Sequence, residues 1–205
     1  FYFNSRDDLP VTWVGGRVRY ALKELEGETV AEKRDVLPTP RDPNNKLGTR
    51  SQMWMGSPDL ANYTIQADVR LTERNGRLPD AGLINSGYTL TVRASNREGA
   101  VGEEGRNREL RVDSWSAHDY RASDSAAYDS KPGVWYRMKL TVEPQESQSL
   151  IRGKIWPRDE AEPEEWTVEM TDERPNLSGS PGLYGNSSEA PFYVDNISVT
   201  PNEQE

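Results

Sequence analysis

Cysteine is absent from this chain. That excludes disulfides and thiolate metal sites, but it does not set a compartment. Histidine occurs once, at His118. A two-histidine metal motif is therefore impossible, and a Ser–His–Asp triad would have to use this one residue. Its neighbours Ala117, Asp119 and Tyr120 supply no nucleophile-elbow context. Positive charge is in short supply, with 25 Lys and Arg against 34 Asp and Glu and a net charge of −9. A nucleic-acid binder needs a basic footprint to neutralise phosphates, and the sequence carries none. Anionic membrane surfaces are disfavoured for the same reason, and the acidity reads first as a solubility device. No apolar run approaches the ~18–20 residues of a membrane span, and no signal-peptide pattern is present. The chain opens on Phe1 without Met, so a mature or excised fragment of a longer protein is expected.

Helical periodicity is also missing. What is present instead is alternation. In Asn62–Leu71, NYTIQADVRL, the residues Tyr63, Ile65, Ala67, Val69 and Leu71 alternate with Thr64, Gln66, Asp68 and Arg70. Period two over nine residues predicts a strand with one buried face and one polar face. The same pattern recurs along the 205 residues. Strands are expected over Val11–Tyr20 (kinked at Gly15–Gly16), Arg50–Gly56, Ala81–Asn85, Tyr88–Ala94 and Arg108–Trp115. They are expected again over Val134–Glu143, Leu150–Trp156, Trp166–Met170, Gly182–Gly185 and Phe192–Thr200. Leu22–Lys33 reads as a hairpin turning at Glu26–Gly27–Glu28, and Asn75–Gly76 is a second hairpin signal. In the last strand Phe192 and Val194 are one residue out of phase with Ile197 and Val199, which a β-bulge at Asp195–Asn196 reconciles. Val36–Gly48 and Ser95–Asn107 read as loops, Ser116–Gly133 as irregular, and Arg158–Glu165 as a solvated acidic loop. The expected fold class is all-β: a β-sandwich of two antiparallel sheets with about a dozen strands and little or no helix, in one domain spanning residues 1–205.

Three strands carry a tryptophan two positions from a charged or amide residue on the polar face. Arg50, Gln52 and Trp54 form one set, Arg111, Asp113 and Trp115 another, and Lys154 with Trp156 a third. If these faces line one concave sheet, they form an aromatic platform flanked by hydrogen-bonding groups. Sugars bind such surfaces by stacking C–H faces on indole while hydroxyls meet Arg, Asp and Gln. His118, just beyond Trp115, joins the candidate ligand-binding set. The competing reading is that each tryptophan simply packs on its sheet.

The segments RSQMWMGSPDLANYTIQADVRL, WYRMKLTVE, RGKIWPRDEAEPEEWTVEMTDE, GSPGLYGN and FYVDNISVTPN resemble the C-terminal domain that follows the β-propeller in bacterial PQQ-binding-like β-propeller repeat proteins. That domain is similar to the concanavalin A-like (laminin G-like) jelly rolls and to 3-keto-disaccharide hydrolase domains. The resemblance runs from about Pro10 to Asn202. It implies a jelly roll with one concave sheet in a periplasmic or extracellular protein, with a β-propeller of the same polypeptide as a partner. It also implies a structural Ca²⁺, for which Asp8 and Asp195 are the candidate ligands. The E-x-D-x-x-E pattern of retaining glycosidases on this fold is absent. The function expected is non-catalytic glycan binding. The alternatives are a docking domain, and a 3-keto-glycoside hydrolase with His118, Asp113 and Arg111 near its site.

Overall fold

The computed structural model describes residues 2–3, 9–10, 12–37, 40–94 and 108–203. Asp8 and the Ser95–Asn107 loop lie outside them. The strands, numbered along the chain, are β1 (Tyr2–Phe3), β2 (Tyr20–Leu25), β3 (Glu28–Lys33), β4 (Arg50–Trp54), β5 (Tyr63–Leu71), β6 (Asp80–Asn85) and β7 (Tyr88–Arg93). They continue as β8 (Glu109–Ser114), β9 (Ser123–Ala127), β10 (Trp135–Pro144), β11 (Ser149–Pro157), β12 (Val168–Asp172), β13 (Gly182–Asn186) and β14 (Phe192–Pro201). Helix is limited to one turn, α1 (Gly16–Arg19), and a 3-10 turn at His118–Tyr120.

Two antiparallel sheets face each other. One has eight strands in the order β12-β11-β10-β5-β14-β3-β2, with β1 also paired to β14. The other has six, in the order β4-β13-β6-β7-β8-β9. Alternation decides the layering. On β5, Tyr63, Ile65, Ala67, Val69 and Leu71 are all 2% exposed or less, and they join Leu83, Leu90, Leu110 and Val112 from the six-stranded sheet in one core. Fully burying each large side chain contributes roughly 1.5–3 kcal/mol. Asn85 ties the layers together, its Nδ2 donating to the carbonyls of Tyr63 and Leu140 at 2.7 and 3.3 Å. The register of β14 shifts between Asp195 and Ser198, and Asn196 adopts a φ of 50°. This is the bulge that puts Phe192, Val194, Ile197 and Val199 on the same inner face.

Two expectations need correction. Val11–Tyr20 is not a continuous strand: among its described residues Val14 makes a single bridge to Trp54, and the chain then coils through α1 before β2 begins. The reason is Gly15, whose φ of 82° breaks the extended backbone. Ser116–Gly133 is not wholly irregular: it supplies β9, the edge strand whose polar sequence, Ser-Asp-Ser-Ala-Ala, hides its pairing with β8.

The outer face of the eight-stranded sheet is closed by its own side chains. Asp68 is fully buried, held by Arg137 through two bonds of 2.7 and 3.0 Å and by Asn196 Nδ2 at 2.9 Å. The 158–166 loop folds back over β10 and β11. Its Glu162 bridges Lys139 and Lys154, both at 2.8 Å, and Lys154 Nζ sits 4.5 Å from the Trp166 ring centre. Burial pushes the Glu162 carboxyl up, but the two lysines outweigh it and hold it below its usual range. The acidic loop is therefore a clamp rather than a solvated run, at least through Glu162.

Lys33 is the exception inside the core. It is fully buried on β3, and its Nζ crosses to Ser51 Oγ at 2.6 Å and to the Gly48 carbonyl at 3.3 Å. Burial, aided by nearby Arg19, pushes its pKa down from 10.5 to about 7. Below pH 7 the ammonium is charged in both folded and unfolded states, and the full cost of burying it applies. Between 7 and 10.5 the unfolded chain holds a proton that the folded chain has lost, so stability rises with pH. We expect the urea midpoint of the native chain to climb from pH 7 to pH 9. Lys33→Met should flatten that climb and raise the midpoint at pH 7; a variant as steep as the parent would refute the assignment.

Candidate functional site

The six-stranded sheet turns its outer face to solvent. Antiparallel pairing aligns the outward residues in rows running across the strands. One row is Trp54, Gly182, Ile84, Thr89, Asp113 and Ser123; the next is Gln52, Tyr184, Gly82, Thr91, Arg111 and Ser125. A third begins with Arg50, Asn186 and Asp80 and continues toward Arg93 and Glu109. The two glycines keep the middle of the floor low. A Cβ at Gly82 would lie 2.4 Å from the Leu90 carbonyl oxygen, and one at Gly182 equally close to that of Met53. Strand backbones cannot yield to such contacts, so these positions exclude side chains. The result is a trough enclosing about 660 Å³.

Of the residues singled out from sequence, Arg50, Gln52, Arg111, Asp113, Trp115 and His118 all line this trough. Trp54 stands at its end, in edge-to-face contact with Trp115: the ring centres are 5.0 Å apart and the planes meet at 84°. The two indoles therefore do not form one flat platform. Trp54 is half-buried, while Trp115 is 41% exposed and presents its ring to solvent. Trp115 is also held in place, its Nε1–H donating to Thr89 Oγ1 at 2.7 Å. Ile84, in the same row as Trp54 and Thr89, is fully buried.

The third tryptophan set is elsewhere. Lys154 and Trp156 lie on the outer face of the eight-stranded sheet, buried to 4% and 5% exposure beneath the loop clamp. The same residue spacing thus leads to packing there and to an open trough here.

The polar groups of the trough form a network. Arg111 Nε donates to Asp113 Oδ1 at 2.8 Å, and its Nη2 donates to Ser123 Oγ at 3.1 Å. Arg93 reaches Asp113 Oδ2 at 3.1 Å and Glu109 at 3.4 Å. Both oxygens of Asp113 are thereby occupied by guanidinium groups. Asp80 accepts the Ala94 backbone N–H at 3.0 Å. His118 is 95% exposed and, among the described residues, meets the adjacent Asp119 at 3.4 Å. It shares the trough with Asp113 without any hydrogen bond between them among the described residues.

Sequence reasoning missed several residues here. Arg93, with Thr89 and Thr91, was within reach, because it alternates with the apolar face of β7. Tyr184, Asn186 and Arg121 were not, because β13 is short and Arg121 follows an irregular stretch. For calcium, no group of three or more His, Cys, Asp or Glu among the described residues could hold an ion. Asp195 lies on the eight-stranded sheet opposite Asp68 at the bulge, and Asp8 is outside the described residues.

No family model and no curated protein sequence matches the chain. Solved structures do. Rv0315 of Mycobacterium tuberculosis, an immunostimulatory antigen and pseudo β-1,3-glucanase, is 14% identical, with 99% of this chain and 91% of that one covered at a TM-score of 0.54. The carbohydrate-binding module CBM66 from Bacillus subtilis is 12% identical, covering 92% and 94% at 0.53. The VIP36 exoplasmic/lumenal domain, in its Ca²⁺/Man3GlcNAc-bound form, is 7% identical, covering 95% and 85% at 0.52. At such identities the likeness is one of fold: a jelly-roll-like β-sandwich of two antiparallel sheets.

The Trp115–Thr89 hydrogen bond gives a direct test of the site's rigidity. Thr89→Val should cost about 1 kcal/mol of stability and speed hydrogen exchange at the Trp115 indole N–H, read by NMR. Unchanged exchange would show that packing against Trp54 holds the ring by itself.

Proposed function

We propose that the chain is a non-catalytic carbohydrate-binding module and that its glycan lies in the trough of the six-stranded sheet. The observation that carries this reading is Trp115: an exposed indole, locked by Thr89 and buttressed by Trp54, at the end of an open polar trough. A sugar ring would stack its C–H face on that indole. Its hydroxyls would then meet Gln52, Tyr184, Asn186, Thr91 and the Arg111–Asp113 pair, which offer both donors and acceptors. The fold supports the reading, since CBM66 and the mannose-containing-glycan-bound VIP36 domain share it. A hydrolytic role has less support, because Asp113 is tied up by two arginines and the His118–Asp119 pair is almost wholly exposed to solvent.

The wider setting belongs to the same proposal: one module of a longer exported protein, periplasmic or extracellular, beside a β-propeller of the same polypeptide. Val14, Val18 and Leu47, between 66% and 81% exposed, favour some docking outside the trough. A structural Ca²⁺ held by Asp8 and Asp195 would need further oxygens to reach the six to eight it takes, and the glycan contacts of the trough do not involve it.

Glycan-array screening followed by titration calorimetry tests the proposal. Trp115→Ala should weaken the best glycan roughly tenfold, the loss of about one aromatic stacking contact, while leaving the fold intact. Unchanged affinity, or an array with no glycan bound at millimolar concentration, would overturn it.

A further inference from the structure

The trough has the opposite electrical character to the chain that builds it. Four arginines line it, Arg50, Arg93, Arg111 and Arg121, against two aspartates, Asp80 and Asp113. Two carboxylates stand just beyond the lining, Glu109 on Arg93 and Asp119 beside His118; among the described residues neither pairs with Arg50 or Arg121. The chain as a whole carries −9. A basic groove in an acidic protein is not a by-product of composition.

The four guanidinium groups are not equivalent. Arg93 and Arg111 are committed to Asp113. Arg50 and Arg121 are exposed and have no carboxylate partner among the described residues. They also stand apart. Arg50 is on β4, at one edge of the sheet, and Arg121 is in the connection entering β9, at the other edge. Five strand spacings of about 4.8 Å separate those edges, roughly 24 Å. A small lone anion would satisfy one end. A chain molecule with repeated negative groups would satisfy both, crossing the committed pair on the way.

We infer that the trough selects acidic glycans, with anionic groups on the sugar chain received by Arg50 and Arg121. This rests on the glycan-binding reading above and names its ligand class. Guanidinium suits the role: its planar fork pairs bidentately with carboxylate or sulfate and stays charged at any working pH. Asp113 then serves a positioning purpose, holding Arg93 and Arg111 flat on the floor and leaving the edge arginines to the ligand. The negative field of the rest of the molecule repels polyanions in general, so only a chain seated in the trough gains from binding. That separates selection from indiscriminate adhesion.

Matched pairs of oligosaccharides test the inference on the full chain by titration calorimetry. Polygalacturonate oligomers are compared with their fully methyl-esterified form, and a sulfated galactan with its desulfated form. At least one anionic member should bind ten times more tightly than its neutral partner, and the two arms tell carboxylate from sulfate. Raising salt to 0.5 M should shrink the preference, because the contacts are exposed and screened. Arg50→Gln with Arg121→Gln should bring the preference close to one, the anionic member losing far more affinity than its neutral partner, and Arg50→Lys with Arg121→Lys should retain part of the preference. Equal binding within both pairs would overturn the acidic-glycan inference while leaving glycan binding standing. A preference that survives the double Gln variant would overturn the assignment to these residues. Failure of every member, charged and neutral, would remove the glycan reading itself.

Discussion

The inner face of the six-stranded sheet must be apolar, and everything on its outer face follows from that requirement. Leu83, Leu90, Leu110, Val112 and Leu183 are committed to the core shared with β5 and β10. Because side chains alternate along a strand, each commitment frees the residues on either side for the opposite face. Arg111 and Asp113 flank Val112; Thr89 and Thr91 flank Leu90. A one-residue slip of register would bury the arginines and expose the leucines, so the hydrophobic effect holds the trough's chemistry in place. Gly82 and Gly182 add a second constraint, since their neighbours' carbonyls leave no room for a side chain in the middle of the floor.

The two outer faces of the sandwich use charge in contrasting ways. On the eight-stranded sheet every prominent cation is answered: Arg137 by Asp68, Lys139 and Lys154 by Glu162, Arg152 by Glu143. Trp166 and the 158–166 loop then cover the surface, and Trp135, Tyr193 and Val30 form a small satellite cluster beside it. Replacing one partner there would strand a buried or half-buried charge. On the six-stranded sheet, among the described residues, no loop lies across the floor and Arg50 and Arg121 have no carboxylate partner. Lys154–Trp156 and Asp113–Trp115 look alike as sequence, yet the first is sealed by a loop clamp and the second is left uncovered by the described residues. Local spacing of Trp and charge is thus a poor guide to function until the covering segments are known.

Much of the fold was legible before any coordinate. The strand over 63–71, the Glu26–Gly27 hairpin and the bulge after Asp195 all declare themselves through alternation, glycine and a phase slip. The failures have physical causes. Val11–Tyr20 has strand-like composition, but Gly15 takes a left-handed backbone and a helical turn follows. Ser123–Ala127 has no apolar face of its own, because as an edge strand it takes its place from hydrogen bonds to β8. Of the candidate site, the outward sets on β4 and β8 could be read from alternation. That Trp54 and Trp115 meet edge-to-face, with one ring presented and the other half-buried, could not.

By itself the sequence determined which side chains of each strand share a face, and so which polar residues were available to a ligand. That information is local, carried by period-two alternation over a few residues. Only the tertiary structure decided which faces are brought together. The order β4-β13-β6-β7-β8-β9 places Gln52 in line with Arg111 and Trp54 in line with Asp113, across strands that are far apart in the chain. That order comes from non-local hydrogen bonding and from the packing of two whole sheets, and no window of the sequence contains it.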